Sequence, residues 1–291
     1  MKPNRRIPER AGIGLRLPHI AEVVATRPSV GWFEIHPENF LANPHAKELL
    51  MEISHHYPVS IHTVGVSVGS ANGIDRPHLK RMRELVEQVD PIFVSGHLAW
   101  STFGNEYLND LLPLPFNKEA LQVVQSHVQE VQDVLGRPYL VENPASYVGF
   151  RSSTMNEAEF LSELAGSTGC RLLLDISNTY LSAHNMGYDA KKYIDSLPAE
   201  AISQLHLGGF TPEKDEANDG GEILIDTHAA SIAGPTWDLY AYALRRFGSR
   251  PALIEWDNDL PPLSNLLGEA LRADAITAET LTGEAFRANA G

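Results

Sequence analysis

The sequence contains very little cysteine. Among its 291 residues the only one is Cys170. A single thiol excludes a disulfide within one chain, and it also excludes the CxxC motifs of zinc-binding and redox proteins. Any metal site in this protein is therefore expected to use ligands other than pairs of thiolates.

Long apolar runs and positive charge are also scarce. No stretch approaches the roughly 18 apolar residues of a membrane span, and residues 1–10 lack the apolar core of a secretion signal. The 23 Lys and Arg residues are outnumbered by 37 Asp and Glu residues, which gives a formal net charge of −14. This balance disfavours binding to nucleic acid or to an anionic membrane surface. We expect a soluble, cytoplasmic protein.

Apolar residues make up 43% of the chain, which is enough for a large core. They form eight short runs rich in Ile, Val and Leu, without the alternation of half-exposed strands. Such runs are typical of strands that are buried on both faces of a parallel sheet. The eight predicted strands are Gly12–Arg16, Trp32–His36, Val59–His62, Ile92–His97, Tyr139–Glu142, Leu172–Asp175, Ile202–His206 and Ala252–Glu255.

Amphipathic helical patterns separate these strands. The clearest begins at Asn117 and stops at Gly136, and a second begins at Asn156 with Glu159 three residues later, as in a capping box. Eight strands alternating with helices, and no glycine-rich dinucleotide turn, predict a (β/α)8 TIM barrel. We expect residues 1–291 to form a single barrel domain, with 272–291 as a loosely attached tail. Long loops follow the strands, so the active site is expected at their carboxyl ends.

His, Asp or Glu residues end most of the predicted strands. Six of them belong to one barrel rim: His62, His97, Glu142, Asp175, His206 and Glu255. Buried together they require cations, and a donor set without thiolate suits Zn, Mn or non-haem Fe. Six ligands could hold two ions, with Glu142 as the bridge. The loops add ligands for a third ion, from Asp226, His228, and His184 or Asn178. Glu34 and His36 are weaker candidates, because their strand could turn them outward.

Ten short motifs between Ala11 and Ala270 resemble, in order, those of one known family. They are GIGLR, HPENF, SIHTVGVSVGS, GHLAW, NDLLPLPF, VENPASY, LLLDISNTYLSAHN, HLGGF, LIDTH and LIEWD. The family is that of the multinuclear non-haem iron-dependent oxidative enzymes, which includes the oxidase of methanobactin biosynthesis. The resemblance implies a TIM barrel of the xylose-isomerase-like type. It also implies two or three iron ions per chain, in mixed valence, that use O2 to modify cysteine in ribosomally made precursor peptides.

The resemblance also assigns the ligands. It implies one iron at His62, His97 and Glu142, and a second at Glu142, Asp175, His206 and Glu255. A third, more labile ion is implied near Asn178, His184, Asp226 and His228. The substrate is then a cysteine-containing precursor peptide, and a separate partner protein binds its leader segment.

Three other functions fit parts of the sequence. A sugar isomerase or epimerase also presents His, Asp and Glu to divalent metals, but usually needs a rim lysine or second acid, and no lysine ends a predicted strand. A trinuclear zinc phosphodiesterase fits the ligands, although the charge of −14 argues against DNA as its substrate. An iron-storing or iron-chaperoning protein would need no substrate pocket.

Overall fold

The computed structural model describes residues 7–104, 106–215 and 220–288. For residue 109 and residues 284–288 it describes the backbone only. It contains twelve strands. In chain order they are Gly12–Gly14 (β1), Phe33–Ile35 (β2), Val59–Thr63 (β3), Val94–His97 (β4), Trp100–Phe103 (β5), Glu106–Leu112 (β6), Leu140–Glu142 (β7), Arg171–Asp175 (β8), Ile202–Gly208 (β9), Thr211–Asp215 (β10), Gly221–Ile225 (β11) and Ala252–Glu255 (β12).

Eight of these strands form a closed parallel barrel in the order β1-β12-β9-β8-β7-β4-β3-β2. Each overlaps one of the eight predicted strands, so the predicted barrel is confirmed. The barrel strands are short and almost wholly buried, because helices cover their outer faces and packed side chains fill the interior.

The described part of the chain also contains ten α-helices. They are Ile20–Thr26 (α1), Glu38–Leu41 (α2), Pro44–Ser54 (α3), Arg76–Val89 (α4), Lys118–Leu135 (α5), Glu157–Thr168 (α6), Ile176–Met186 (α7), Ala190–Ser196 (α8), Gly234–Phe247 (α9) and Leu263–Ala288 (α10). The predicted helix ends are confirmed. Asn117 is the N-cap of α5, which ends at a left-handed Gly136, and Asn156 and Glu159 form a capping box at the start of α6. None of the described helices is long and apolar enough to cross a membrane.

The long loops carry structure that the periodicity does not predict. Strands β5 and β6 form an antiparallel hairpin in the loop after β4, and β10 and β11 form another in the loop after β9. Both hairpins therefore rise from the carboxyl ends of barrel strands.

The predicted tail 272–291 is helical as far as Ala288, and residues 289–291 lie outside the described part. Its first half makes specific contacts with the barrel. Asp274 accepts the backbone N–H of Ala11 at 2.6 Å, and Thr277 is hydrogen bonded to Tyr240 at 2.7 Å.

Candidate metal centre

The barrel brings the six predicted strand-end ligands to one rim. Each lies at or near the carboxyl end of its strand, because parallel strands that close into a barrel all point the same way. Five of the six are almost completely buried: His62 (1% exposed), Glu142 (1%), Asp175 (0%), His206 (0%) and Glu255 (3%). His97 is slightly more accessible. Burial of so many titratable groups is costly unless they share cations or protons.

His62, His97 and Glu142 form the first ligand group. Oε2 of Glu142 lies 3.2 Å from Nε2 of His62 and 3.5 Å from Nε2 of His97. The two imidazole nitrogens are 3.2 Å apart. One donor atom of each residue falls within 4.8 Å of the others, which is the spacing of ligands around one ion. Two histidines and one carboxylate can hold one face of a metal and leave other positions open.

Glu142 also belongs to a second group, with Asp175, His206 and Glu255. Nδ1 of His206 lies 3.1 Å from Oε2 of Glu255 and 3.8 Å from Oε1 of Glu142. Glu142 therefore presents Oε2 to the first group and Oε1 to the second. A carboxylate placed in this way can bridge two ions.

Asp175 has a second task in the local fold. It is the N-cap of α7, and its Oδ1 accepts the backbone N–H of Asn178 at 2.5 Å. Its other oxygen, Oδ2, is buried and has no hydrogen-bond partner. The cap therefore fixes the carboxylate and leaves one oxygen available to the second group.

Two of the histidines are oriented through their other ring nitrogen. Nδ1 of His62 is 2.8 Å from the hydroxyl of Ser95. Nε2 of His206 is 2.7 Å from Nε2 of Gln204 and makes an ion-pair contact of 3.1 Å with Oε1 of Glu34. Glu34 is fully buried and faces the barrel interior, where its Oε2 accepts the hydroxyl of Ser60 at 2.7 Å. A hydrogen bond of this kind fixes the tautomer and directs the opposite nitrogen to the metal. The sequence does not fix the inward direction of Glu34, since its strand has only three residues.

Asp226 and His228 meet beside Glu255, at the edge of the second group. Nε2 of His228 lies 2.9 Å from Oδ1 of Asp226 and 3.9 Å from Oε2 of Glu255. The backbone of His228 is left-handed, with φ 45°, a conformation that costs a residue with a β-carbon about 1–2 kcal/mol. Gly208 makes room for its ring, because a Cβ there would lie 2.5 Å from Cδ2 of the imidazole.

The other two residues predicted for the third ion are placed differently. Asn178 is buried in the first turn of α7 and lines a cavity that also borders His228 and Glu255. Its Oδ1 has no hydrogen-bond partner. His184 is six residues further along the helix, about 9 Å along its axis. It is exposed, and its Nε2 is 3.2 Å from the carbonyl oxygen of Glu222 in β11. The structure thus brings Asn178 to the metal centre and leaves His184 outside it.

Arg16 and Asp257 add to the centre from positions that the sequence does not single out. Arg16 is buried and pairs closely with Oδ1 of Asp257, while its Nη2 lies 3.2 Å from Nε2 of His36. His36, Glu255 and Asp257 could themselves hold a metal ion. The fixed guanidinium charge opposes a cation at that position. Asp257 and His36 are therefore better suited to supporting the neighbouring ligands than to binding an ion.

The cluster holds many buried polar atoms without hydrogen-bond partners, a rare condition in folded proteins. They converge on the three groups described above: Nδ1 of His206, Oε2 of Glu142, Oδ2 of Asp175, Oδ1 of Asn178, Oδ1 of Asp226 and Nε2 of His228. Lone pairs directed at common points are what metal ions require. The residues present fit a multinuclear metal centre.

The protonation preferences of the cluster agree with this fit. Burial holds the pKa of His62 well below its usual range and lowers the pKa of His97 to about 4, so both rings are neutral, as ligands must be. Burial raises the pKa of Glu142 well above its usual range and that of Asp175 to about 7. For His206, Glu255 and Glu34 outweigh burial and raise the pKa. Protons on these groups would compete with metal ions for the same donor atoms, so metal binding is expected to release protons.

A cavity of about 180 Å³ opens onto the ligands. Its walls include His62, His97, Asp226, His228 and Glu255, together with the apolar side chains of Val64 and Leu111. This space would let a small group such as a side chain approach the candidate ligands. Reaction partners can therefore enter at the barrel mouth.

The fold and the cluster define a TIM barrel with a candidate metal centre at its mouth, and comparison with known proteins gives its family. The profile of the family described as RiPP precursor modification enzyme MbnB/TglH/ChrH matches residues 10–278. The chain belongs to this family of enzymes, which act on ribosomally made, post-translationally modified peptides.

Other relatives have names without a stated activity. A UPF0276 protein of Vibrio vulnificus is 45% identical over 271 residues, which cover 93% of this chain and 92% of the relative. A UPF0276 protein of Chromobacterium violaceum is 43% identical over 270 residues, with 93% and 95% covered.

Solved structures confirm the predicted fold type. A xylose isomerase-like TIM barrel protein from Mycobacterium smegmatis in complex with magnesium has a TM-score of 0.63 at 10% identity, with 94% of this chain and 97% of that chain covered. A D-tagatose 3-epimerase-like protein has a TM-score of 0.57 at 16% identity, with the same shares covered. At such low identity these matches concern the fold alone.

Proposed function

We propose that this protein is an iron- and O2-dependent oxidase that modifies a cysteine in a ribosomally synthesised precursor peptide. The observation that carries the proposal is the position of Glu142 between two ligand groups, with Oε2 directed to His62 and Oε1 to His206. A two-metal centre with open positions on one side suits an oxidation in which substrate and O2 bind next to each other.

Iron is favoured by the donor set of the first group. Two histidines and one carboxylate on one face of the ion, with the remaining positions open, are typical of non-haem Fe(II) oxygenases. Bound iron, in mixed valence, would supply the electron transfer to O2 and the Lewis acidity that favours the thiolate of the substrate. We assign the two core ions to His62, His97, Glu142, Asp175, His206 and Glu255, and a third to Asp226 and His228, with Asn178 nearby.

The chain's own residues hold and orient this centre. Ser95 and Glu34 fix the ring orientations of His62 and His206, and Asp257 does the same for His228. Leu111 and Val64 contribute apolar surface to the cavity, which limits the access of water to the ligands. The small cavity admits a side chain and excludes a folded domain, so a peptide substrate has to present its cysteine in an extended segment.

The family to which the chain belongs modifies peptide precursors, which supports a peptide as the substrate. We further propose that a separate partner protein holds the leader segment, while the barrel acts on the cysteine. The negative net charge of −14 would attract a basic segment of either molecule.

Co-expression provides the test. The protein is produced with iron, together with a cysteine-containing peptide and a partner protein encoded beside its gene, and the peptide is analysed by mass spectrometry. We expect a change of mass that requires both iron and O2 and is lost in Glu142→Ala. An unchanged peptide mass, with zinc as the only bound metal and turnover of a free sugar or a phosphoester, would overturn the proposal in favour of an isomerase or a phosphodiesterase.

A further inference from the structure

A groove of about 590 Å³ lies outside the metal centre, between the loop after β7 and the connection from α7 to α8. Its walls include Leu114, Phe116, Val148, Phe150, Tyr188 and Tyr193, and we call it the side groove. None of these residues belongs to a metal-ligand group.

The side groove exposes an unusual amount of apolar surface. Val148 is 57% exposed, and Phe150, Met186 and Tyr188 are each about 40% exposed. These side chains come from two separate segments of the chain and meet at one place. A contiguous apolar patch on a protein surface commonly marks a binding site.

The side groove also contains an acidic group without a charged partner. The carboxyl of Glu157 lines the groove, and Oε1 accepts the hydroxyl of the buried Tyr193 at 2.5 Å. The capping box of α6 uses Asn156 and Glu159, so Glu157 is not needed there. Asp189 and Lys192 also line the groove, so its walls carry two acidic side chains and one basic side chain. Among the described residues Glu157 forms no ion pair, and its side chain is hydrogen bonded to Tyr193.

An apolar, aromatic groove with a carboxyl at its base matches a particular kind of ligand. The aliphatic part of an arginine or lysine can pack on the walls while its charged end reaches the carboxylate and the tyrosine rings. A purely apolar side chain would bury the carboxyl without providing a partner, and an acidic one would be repelled. The net charge of −14 adds a long-range attraction for the same class of ligand.

We propose that the side groove binds a basic residue of the peptide substrate, close in sequence to the cysteine that is modified. This inference rests on the proposed function for the identity of its occupant. Charge complementarity at Glu157 selects the basic residue, and the exposed apolar walls bind its neighbours.

The side groove lies near the mouth of the metal cavity. Leu111 lines the cavity and Pro113, two positions later in the chain, lines the groove, and two residues span at most about 7 Å. The hydroxyl of Tyr147 accepts the backbone N–H of Asp226 at 2.9 Å, which joins the loop of Val148 and Phe150 to the metal centre. A peptide in the groove can therefore present an adjacent residue to the metals.

The test uses two synthetic peptides, Ac-Gly-Phe-Arg-Phe-Gly-Ser-Gly-NH2 and the same sequence with citrulline in place of arginine. Citrulline keeps the shape of arginine without its charge, and serine in place of cysteine removes coordination to the metal. Binding to the full-length, iron-loaded protein is measured by calorimetry at pH 7.5 without O2. We expect the arginine peptide to bind at least ten-fold more tightly than the citrulline peptide.

Two variants locate the effect. In Glu157→Gln the preference for arginine should fall below two-fold, whereas Glu163→Gln, an exposed position on the same helix, should keep it. Phe150→Ala should lower the affinity of the protein for both peptides by the same factor. Equal affinity of the wild-type protein for both peptides, or an unchanged preference in Glu157→Gln, would overturn the inference. Because neither peptide contains cysteine, binding in the groove is measured independently of whether the protein oxidises a precursor.

Discussion

Asp257 accepts a hydrogen bond from Nδ1 of His228 at 3.1 Å, and this contact sets the direction of the imidazole. With Nδ1 engaged, Nε2 faces Asp226 at 2.9 Å. Asp257 is itself held by the buried guanidinium of Arg16, which keeps the pKa of that carboxyl below its usual range against the effect of burial. Arg16, Asp257 and His228 thus form a chain that ends at the proposed third ion.

The first prediction is that Asp257→Asn weakens binding of the third ion by about 10–100-fold, the usual effect of losing a partner that orients a ligand. Asparagine can keep the size of the side chain but not the charge that pairs with Arg16. Iron titration of the variant, followed by elemental analysis, measures the loss. Asp259→Asn, an exposed position two residues away, serves as the control and should bind like wild type. Full retention of the third ion in Asp257→Asn would show that the contacts from Arg16 through Asp257 to His228 do not orient a ligand.

The second prediction concerns the bridging position. Glu142→Ala should lose both core ions, because its two oxygens face two different ligand groups. His228→Ala should lose at most the third ion, since it lies at the edge of the cluster. Iron per chain, measured after gel filtration, separates the two results. Our assignment of Glu142 is wrong if Glu142→Ala keeps its full iron content and its activity.

The sequence predicts the barrel, and the position of six His, Asp and Glu side chains at its rim, for a physical reason. Strands that are buried on both faces consist of short apolar runs. A His, Asp or Glu residue at the end of such a run is therefore easy to recognise in the sequence. His97, Glu142, Asp175 and Glu255 each end a barrel strand as predicted. Helix caps such as Asn117 carry an equally local signal.

Other parts of the centre depend on contacts between distant segments. Arg16 and Asp257 are 241 positions apart in the chain and meet only when the barrel closes. Thr211–Asp215 carries no apolar alternation, so the sequence does not reveal its antiparallel pairing with β11. His184 shares a motif with Asn178, but it lies six residues further along the helix, and this distance places its side chain outside the centre.

The third prediction concerns stability and pH. Burial raises the pKa of Glu157 to about 7, above the value of about 4.3 in an unfolded chain. Between these values the folded state holds a proton that the unfolded state has released, so this residue lowers the free energy of unfolding as pH rises from about 4 to about 7. Glu157→Gln cannot ionise, so it should be more stable than wild type at pH 8, by at most about 4 kcal/mol, and similar to wild type at pH 4.5.

Urea unfolding of both proteins at the two pH values measures this difference. Glu163→Gln, on the exposed side of α6, is the matched control and should show no such dependence. When each variant is compared with wild type at the same pH, the contributions of the other titrating groups to the free energy of unfolding cancel. A stability difference that is the same at pH 4.5 and pH 8 would refute the altered ionisation of Glu157.

The last prediction is that Cys170 takes no part in the chemistry. It is buried immediately before β8, whereas Asp175 ends that strand, about 16 Å away at the spacing of extended residues. Burial raises the pKa of its thiol to about 11, so little thiolate is present at neutral pH. We expect iodoacetamide to label the native protein at least 100-fold more slowly than the urea-unfolded protein. Cys170→Ala should keep wild-type iron content and peptide modification, with a modest loss of stability from the small cavity. Loss of iron in that variant, or oxidised Cys170 in the wild-type protein after turnover, would place this thiol within reach of the centre and contradict the assignment.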